Sequence, residues 1–187
     1  MLRASVLAVL LGLLWASSAG AAGYPAVAGD VYSVAGQGTG GSGGPAVSAS
    51  VIPGGLAFDS GGDLYLEETW SNRIEEIAAT THSQWGISMT AGRIYTVVGS
   101  SSGAWGNSGD GGSARSALLD DPEGITVDAS GNLYIADTDS ARIREVAASP
   151  HTQWGISMTA GNIYRIAGTT YGTFSGGGGP ATAAVLA

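Results

Sequence analysis

The chain has 187 residues, 32 of them glycine, with no cysteine and with 15 acidic against 7 basic residues, a net charge of −8. That charge argues against nucleic-acid binding, which draws its affinity largely from neutralised phosphates, and the missing thiols exclude disulfides and cysteine catalysis. Glycine at this level among short β-rich runs implies many tight turns in an all-β protein, because glycine adopts positive backbone angles without steric cost.

At the N-terminus, Met1-Leu2-Arg3 leads into the apolar run 4–16 and then Ser17-Ser18-Ala19-Gly20-Ala21-Ala22. A positive start, a short apolar core and a small-residue cleavage site read as a secretory signal peptide over 1–22, cut near Ala21 or Ala22. The apolar run is shorter than the roughly 20 residues that span a bilayer, so a secreted, extracellular chain with no membrane span after cleavage is expected. Residues 23–53 then carry Gly29-Asp30-Val31-Tyr32-Ser33-Val34-Ala35-Gly36 and a glycine-rich loop. This run is read as a lone fourth strand, without the three strands that should precede it, lying as an exposed edge beside the next unit.

The next strands are expected near 55–59, 63–68, 73–78 and 93–98, within a unit spanning 54–99. Asp59-Ser60-Gly61-Gly62-Asp63 closes the first pair as a tight turn. A glycine- and serine-rich loop occupies 100–122. A second unit, 123–168, repeats the pattern with strands near 124–128, 132–137, 142–147 and 162–167, and 169–187 begins a further unit. The repetition is close: the eleven residues His82 to Gly92 return from His151 to Gly161, 69 residues later, with Thr152 for Ser83 as the one change. Pro53-Gly54-Gly55-Leu56-Ala57-Phe58-Asp59 matches Pro122-Glu123-Gly124-Ile125-Thr126-Val127-Asp128 at the same offset. Units of this kind expose apolar faces that only a neighbouring unit can cover, so function is expected to belong to the assembled array. Four antiparallel strands per unit make a β-propeller blade.

The run from Pro122 through Gly124-Ile125-Thr126-Val127-Asp128, Gly131-Asn132-Leu133-Tyr134-Ile135-Ala136-Asp137 and Arg142-Ile143 resembles an NHL repeat of the secreted bacterial type. The resemblance implies a β-propeller of four-stranded antiparallel blades, NHL/TolB-like and six-bladed when complete, of which about two blades and flanking strands are present. It implies no single chemistry. The first unit departs from the pattern, with Glu67-Glu68-Thr69-Trp70 where Ala136-Asp137-Thr138-Asp139 stands. Two blades cannot close a ring, so the chain is expected to be a piece of a longer array or one of several copies that complete a ring. Either way, its open blade faces favour self-association.

Chemical motifs are few. Gly36-Gln37-Gly38-Thr39-Gly40-Gly41 satisfies G-x-G-x-x-G, but no helix is expected after it to present its N-terminus to a phosphate. Asn107-Ser108-Gly109-Asp110-Gly111-Gly112 lacks the successive carboxylates of a calcium loop. His82 and His151 stand at equivalent repeat positions and are expected to pack within a connector, since catalytic sites combine different residues. Asp120, Asp121, Glu123 and Asp128 are read as solvated charges at a strand edge, which discourage aggregation. No catalytic residue, cofactor or metal is therefore expected. Ligand contacts are expected at Trp85 and Trp154 in the connectors, with Trp105 and Trp70, because exposed aromatics give large contact area at low entropic cost. The reading is a non-catalytic binding or scaffolding module for a protein or carbohydrate ligand. The alternative is a fragment of a metal-dependent lyase or hydrolase whose catalytic residues lie mostly outside this chain.

Overall fold

A computed structural model describes residues 31–36 and 38–186, so the expected signal peptide and Gly29-Asp30 lie outside the described residues. The first unit folds as β1 (Gly55–Phe58), β2 (Leu64–Glu68), β3 (Arg73–Ile77), the hairpin β4 (His82–Gln84) and β5 (Ile87–Met89), and β6 (Ile94–Gly99). The second follows as β7 (Pro122–Val127), β8 (Leu133–Asp137), β9 (Arg142–Val146), the hairpin β10 (His151–Gln153) and β11 (Ile156–Met158), and β12 (Ile163–Ala167). Each unit builds one four-stranded sheet, β1-β2-β3-β6 and β7-β8-β9-β12, with every neighbouring pair antiparallel. These are the two blades expected from the sequence, all-β and in meander order.

The alternation of side chains along β2 and β8 shows how the blades stack. Leu64 and Leu66 point to one face of β2, where they pack with Ile77 and Ile94 beneath Ala46 and Ala49. Tyr65 points to the opposite face, into a core that joins both blades: Tyr65, Ile74 and Val97 of blade 1 meet Leu133, Ile135, Val146 and Ile163 of blade 2. Blade 2 thus buries against blade 1 the same face that blade 1 turns to the segment around Ala46. Each fully buried aliphatic side chain contributes about 1.5–3 kcal/mol, and this shared core fixes the two sheets as a stacked pair.

A short plug recurs with each unit, and the middle one lies in the seam between the blades. Gly44-Pro45-Ala46, Gly112-Ser113-Ala114 and Gly179-Pro180-Ala181 each open a three-residue 3-10 turn, at Ala46–Ser48, Ala114–Ser116 and Ala181–Ala183. The middle plug buries Ala114, Ala117 and Leu119 in the inter-blade core. It is fastened to blade 2 by the Ala114 amide donating to the Gly161 carbonyl, as the Ala46 amide donates to Gly92 in blade 1.

The lone strand expected over 29–36 is corrected. Of its described residues, 31–36 form no strand, and Val31, Tyr32 and Val34 are exposed. A fourth strand needs a third to pair with, and among the described residues none comes before it; blade 1 already has β6 as its own outer strand. No helix among the described residues is long and apolar enough to cross a membrane.

Candidate functional site

At one end of the blades, a groove of about 380 Å3 opens across the seam between them. Blade 1 supplies Trp70 and Asn72 from the turn between β2 and β3, the inter-blade segment supplies Trp105, Asp120 and Asp121, and blade 2 supplies Asp139 from the turn between β8 and β9. The backbone holds these residues in place. Asn72 and Asp121 both adopt left-handed conformations, and the Asp121 amide donates to Asn72 Oδ1 at 2.9 Å, tying the two units together. The Asp120 amide donates to Asp137 Oδ1 at 2.7 Å, and the Asp139 amide donates to the Asp120 carbonyl. Asp120, Asp121 and Asp139 all line the groove, Asp139 exposed and the other two half-buried. Burial, then the neighbouring charges of Asp139 and Asp121, hold the Asp120 carboxyl above its ordinary value. Trp70 is 83% exposed and Trp105 70%. Two bare indoles beside three mutually repelling carboxylates suit a cationic or stacking ligand.

The other two candidate tryptophans part company. Both hairpin turns place the tryptophan at positive φ, 50° at Trp85 and 56° at Trp154, and the hairpins share one register, His82 opposite Met89 and His151 opposite Met158. Trp85 is half-buried against the inter-blade core, with its ring 6.3 Å from that of Tyr65. A Cβ added to Gly161 of the next unit would lie 3.3 Å from the Trp85 Cβ, so that turn comes close to the indole. Trp154 has no such neighbour and is 60% exposed. The structure therefore gathers Trp70 and Trp105 into one groove, puts Trp85 into packing, and leaves Trp154 on the open side of blade 2.

Beneath the first hairpin, Asp63, Glu76 and His82 bring three donor atoms within 4.8 Å of one another. His82 Nε2 lies 3.4 Å from Glu76 Oε1 and 3.5 Å from Asp63 Oδ2. Burial, reinforced by the charge of Asp63, pushes the Glu76 carboxyl up to about 7, against the opposing pull of His82 and the Tyr65 hydroxyl. In blade 2 the matching residues are Asn132, Glu145 and His151, and His151 Nε2 hydrogen-bonds Glu145 Oε1 at 3.1 Å. The sequence singled out the two histidines but not these carboxylates, which lie on separate strands and converge only in the fold.

The remaining motifs serve the scaffold. The Gly38 and Gly40 amides donate to the Ala49 and Ser48 carbonyls, so the glycine-rich run has no phosphate cradle to offer. Asp110 of the Asn107–Gly112 loop pairs with Arg144 at 2.9 Å and with Arg142 at 3.5 Å. Asp128 folds back on its own turn, accepting hydrogen bonds from the Ser130 and Asn132 amides.

A family model described as the NHL repeat matches residues 119–145. Over 97 residues the chain is 36% identical to Teneurin-4 of Homo sapiens and, equally, to Teneurin-4 of Mus musculus, covering 48% of this chain and 3% of either relative. A structural-genomics protein of unknown function from Bacteroides thetaiotaomicron is similar at a TM-score of 0.49 with 18% identity, over 70% of this chain and 27% of that one.

Proposed function

We propose that this NHL-repeat chain is a non-catalytic binding module that takes a basic segment of a partner protein in the groove between its blades. One observation carries the reading: Trp70 and Trp105, exposed and far apart in sequence, converge with Asp120, Asp121 and Asp139 across a seam that neither blade forms alone. Indole faces attract arginine and lysine head groups, and the aspartates supply the countercharge. The net charge of −8 adds long-range attraction for the same ligand. The signal-like segment 1–22 supports action outside the cell. NHL resemblance and the two open blades support a place in a larger propeller, six-bladed in the form the family suggests.

The test is a fluorescence titration of the chain with an arginine-rich peptide, beside a neutral peptide and a panel of neutral oligosaccharides. The arginine-rich peptide should bind saturably and more weakly as salt rises. Trp70→Ala with Trp105→Ala should weaken it at least about tenfold, the loss of about 1.4 kcal/mol, whereas Trp154→Ala should leave it unchanged. Binding of oligosaccharides alone would replace the ligand class with a glycan. Peptide binding indifferent to both groove tryptophans would overturn the site.

A further inference from the structure

Away from the groove, Asp63, Glu76 and His82 are drawn from three places on blade 1: the residue before β2, the middle of β3 and the start of the β4–β5 hairpin. We propose that they bind a divalent transition-metal ion of the zinc class. This goes beyond the binding module proposed above and does not depend on it.

Two carboxylates and one imidazole are a donor set that zinc accepts, at metal–ligand distances of about 2.0–2.2 Å. Around a tetrahedral ion, ligands at that distance stand roughly 3.4 Å apart. The 3.4 and 3.5 Å separations from His82 Nε2 to the two carboxylates match this edge, and none of the contacts meets the geometry of a hydrogen bond. Glu76 is fully buried, and no contact of its carboxylate oxygens or of His82 Nε2 meets the geometry of a hydrogen bond, although the Tyr65 hydroxyl lies near enough to favour the ionised carboxylate. Buried carboxylates ordinarily make well-formed hydrogen bonds, and a bound cation would complete the partners of this one beside the imidazole nitrogen.

The imidazole is already oriented for the task. His82 Nδ1 lies 3.0 Å from the Thr80 carbonyl, an acceptor only, so Nδ1–H donates and, in the neutral ring, the Nε2 lone pair faces the two carboxylates. The ring is 24% exposed, which leaves a path for the ion and a fourth position open to water.

Blade 2 serves as an internal comparison. Its hairpin, histidine and glutamate are the same, but Asn132 stands where Asp63 does. There the group closes on itself: His151 Nε2 bonds Glu145 Oε1 at 3.1 Å and Trp154 Nε1–H donates to Glu145 Oε2 at 3.2 Å. In blade 1 the equivalent Trp85 Nε1 has no acceptor. The second carboxylate and the glutamate without a well-formed hydrogen bond occur together, in the unit with three ligands.

The experiment is isothermal titration of the chelator-treated chain with Zn2+ alone, alongside the visible absorption of the Co2+ form. One ion per chain and the bands of four-coordinate Co2+ are expected. Asp63→Asn installs the residue that blade 2 already carries in the same turn, where Asn132 Oδ1 accepts from the Ala148 amide as Asp63 Oδ1 does from Ala79, so the fold is retained. That variant should bind Zn2+ at least about tenfold more weakly and lose the Co2+ bands. Glu76→Gln should do the same, and His151→Ala should change neither. The absence of stoichiometric uptake, uptake unaffected by Asp63→Asn, or uptake lost in a folded His151→Ala chain would each overturn the proposal.

Discussion

At the scale of single residues, buried charge marks where the units are fastened. Arg144 is fully buried, with ion pairs to Asp110 at 2.9 Å and Asp137 at 3.2 Å and hydrogen bonds to the Leu118 and Ser108 carbonyls, so one guanidinium ties the inter-blade loop to β8 and β9. Blade 1 solves the same problem with the arginine moved: Arg73 pairs with Glu68 at 2.5 Å and with Glu75 at 3.4 Å, and Glu75 stands where Arg144 does. Replacing Arg144 with alanine strands Asp137 in the core and should lower the unfolding free energy by about 3–5 kcal/mol, read from the urea midpoint. Asp128 gives the pH dependence. Burial raises its carboxyl, but bonds from Asn132, Ser130 and the Tyr134 hydroxyl together outweigh this and hold it below the ordinary 3.8. A lowered folded value means stability that is fully present above about pH 4 and is lost as pH falls through the folded value. Asp128→Asn should therefore be less stable than the parent at pH 7, by about 1–2 kcal/mol, and the gap should close as unfolding is followed below pH 3.8. The role of Arg144 was not legible in the sequence, whereas the tight turn from Asp128 to Asn132 was, as the repeat of the turn at Asp59. Asp128 was read as an edge charge because a run of acids does not reveal which carboxylate curls back onto its own turn.

At the scale of elements, the strands were legible and the connectors were not. The 69-residue repeat presents each strand twice, and the alternation in Leu64-Tyr65-Leu66 and Leu133-Tyr134-Ile135 places them within a residue or two of where they lie. The segments His82–Gln84 and Ile87–Met89 pair as a hairpin whose turn needs positive φ at Trp85 and Gly86, a conformation that the bulky first residue conceals. Nearly identical sequence, with Thr152 in place of Ser83, gives hairpins of one register, yet their surroundings differ, because Trp85 is covered by the next unit while Trp154 is not. Trp85→Ala should cost about 3 kcal/mol in thermal or urea unfolding, and Trp154→Ala less, about 1 kcal/mol, for the lost bond from its Nε1–H to Glu145. Equal losses would mean that the two hairpins pack alike. The groove tryptophans were named from composition, but their convergence with Asp120, Asp121 and Asp139 was not legible, because it depends on how one blade sits against the next.

At the scale of the whole molecule, the repeat exposes its own open ends. Tyr65, Ile74, Ile87 and Tyr95 of blade 1 are buried, whereas their counterparts Tyr134, Ile143, Ile156 and Tyr164 in blade 2 are only partly covered. On the other side, Leu56 and Phe58 are 44% and 45% exposed, while the matching Ile125 and Val127 pack against the shared core. Apolar faces of this kind favour association. Light scattering of the chain should show oligomers, reduced by Trp154→Ser with Ile156→Ser; a stable monomer would mean that these faces are content with water. The proposed ligand groove is made jointly by two stacked blades. Its most direct test is a double-mutant cycle on binding of the arginine-rich peptide, with Trp70→Ala in blade 1 and Asp139→Asn in blade 2. A shared groove predicts that the losses are coupled by about 0.5–3 kcal/mol. Strictly additive losses, or no loss from either change, would contradict it.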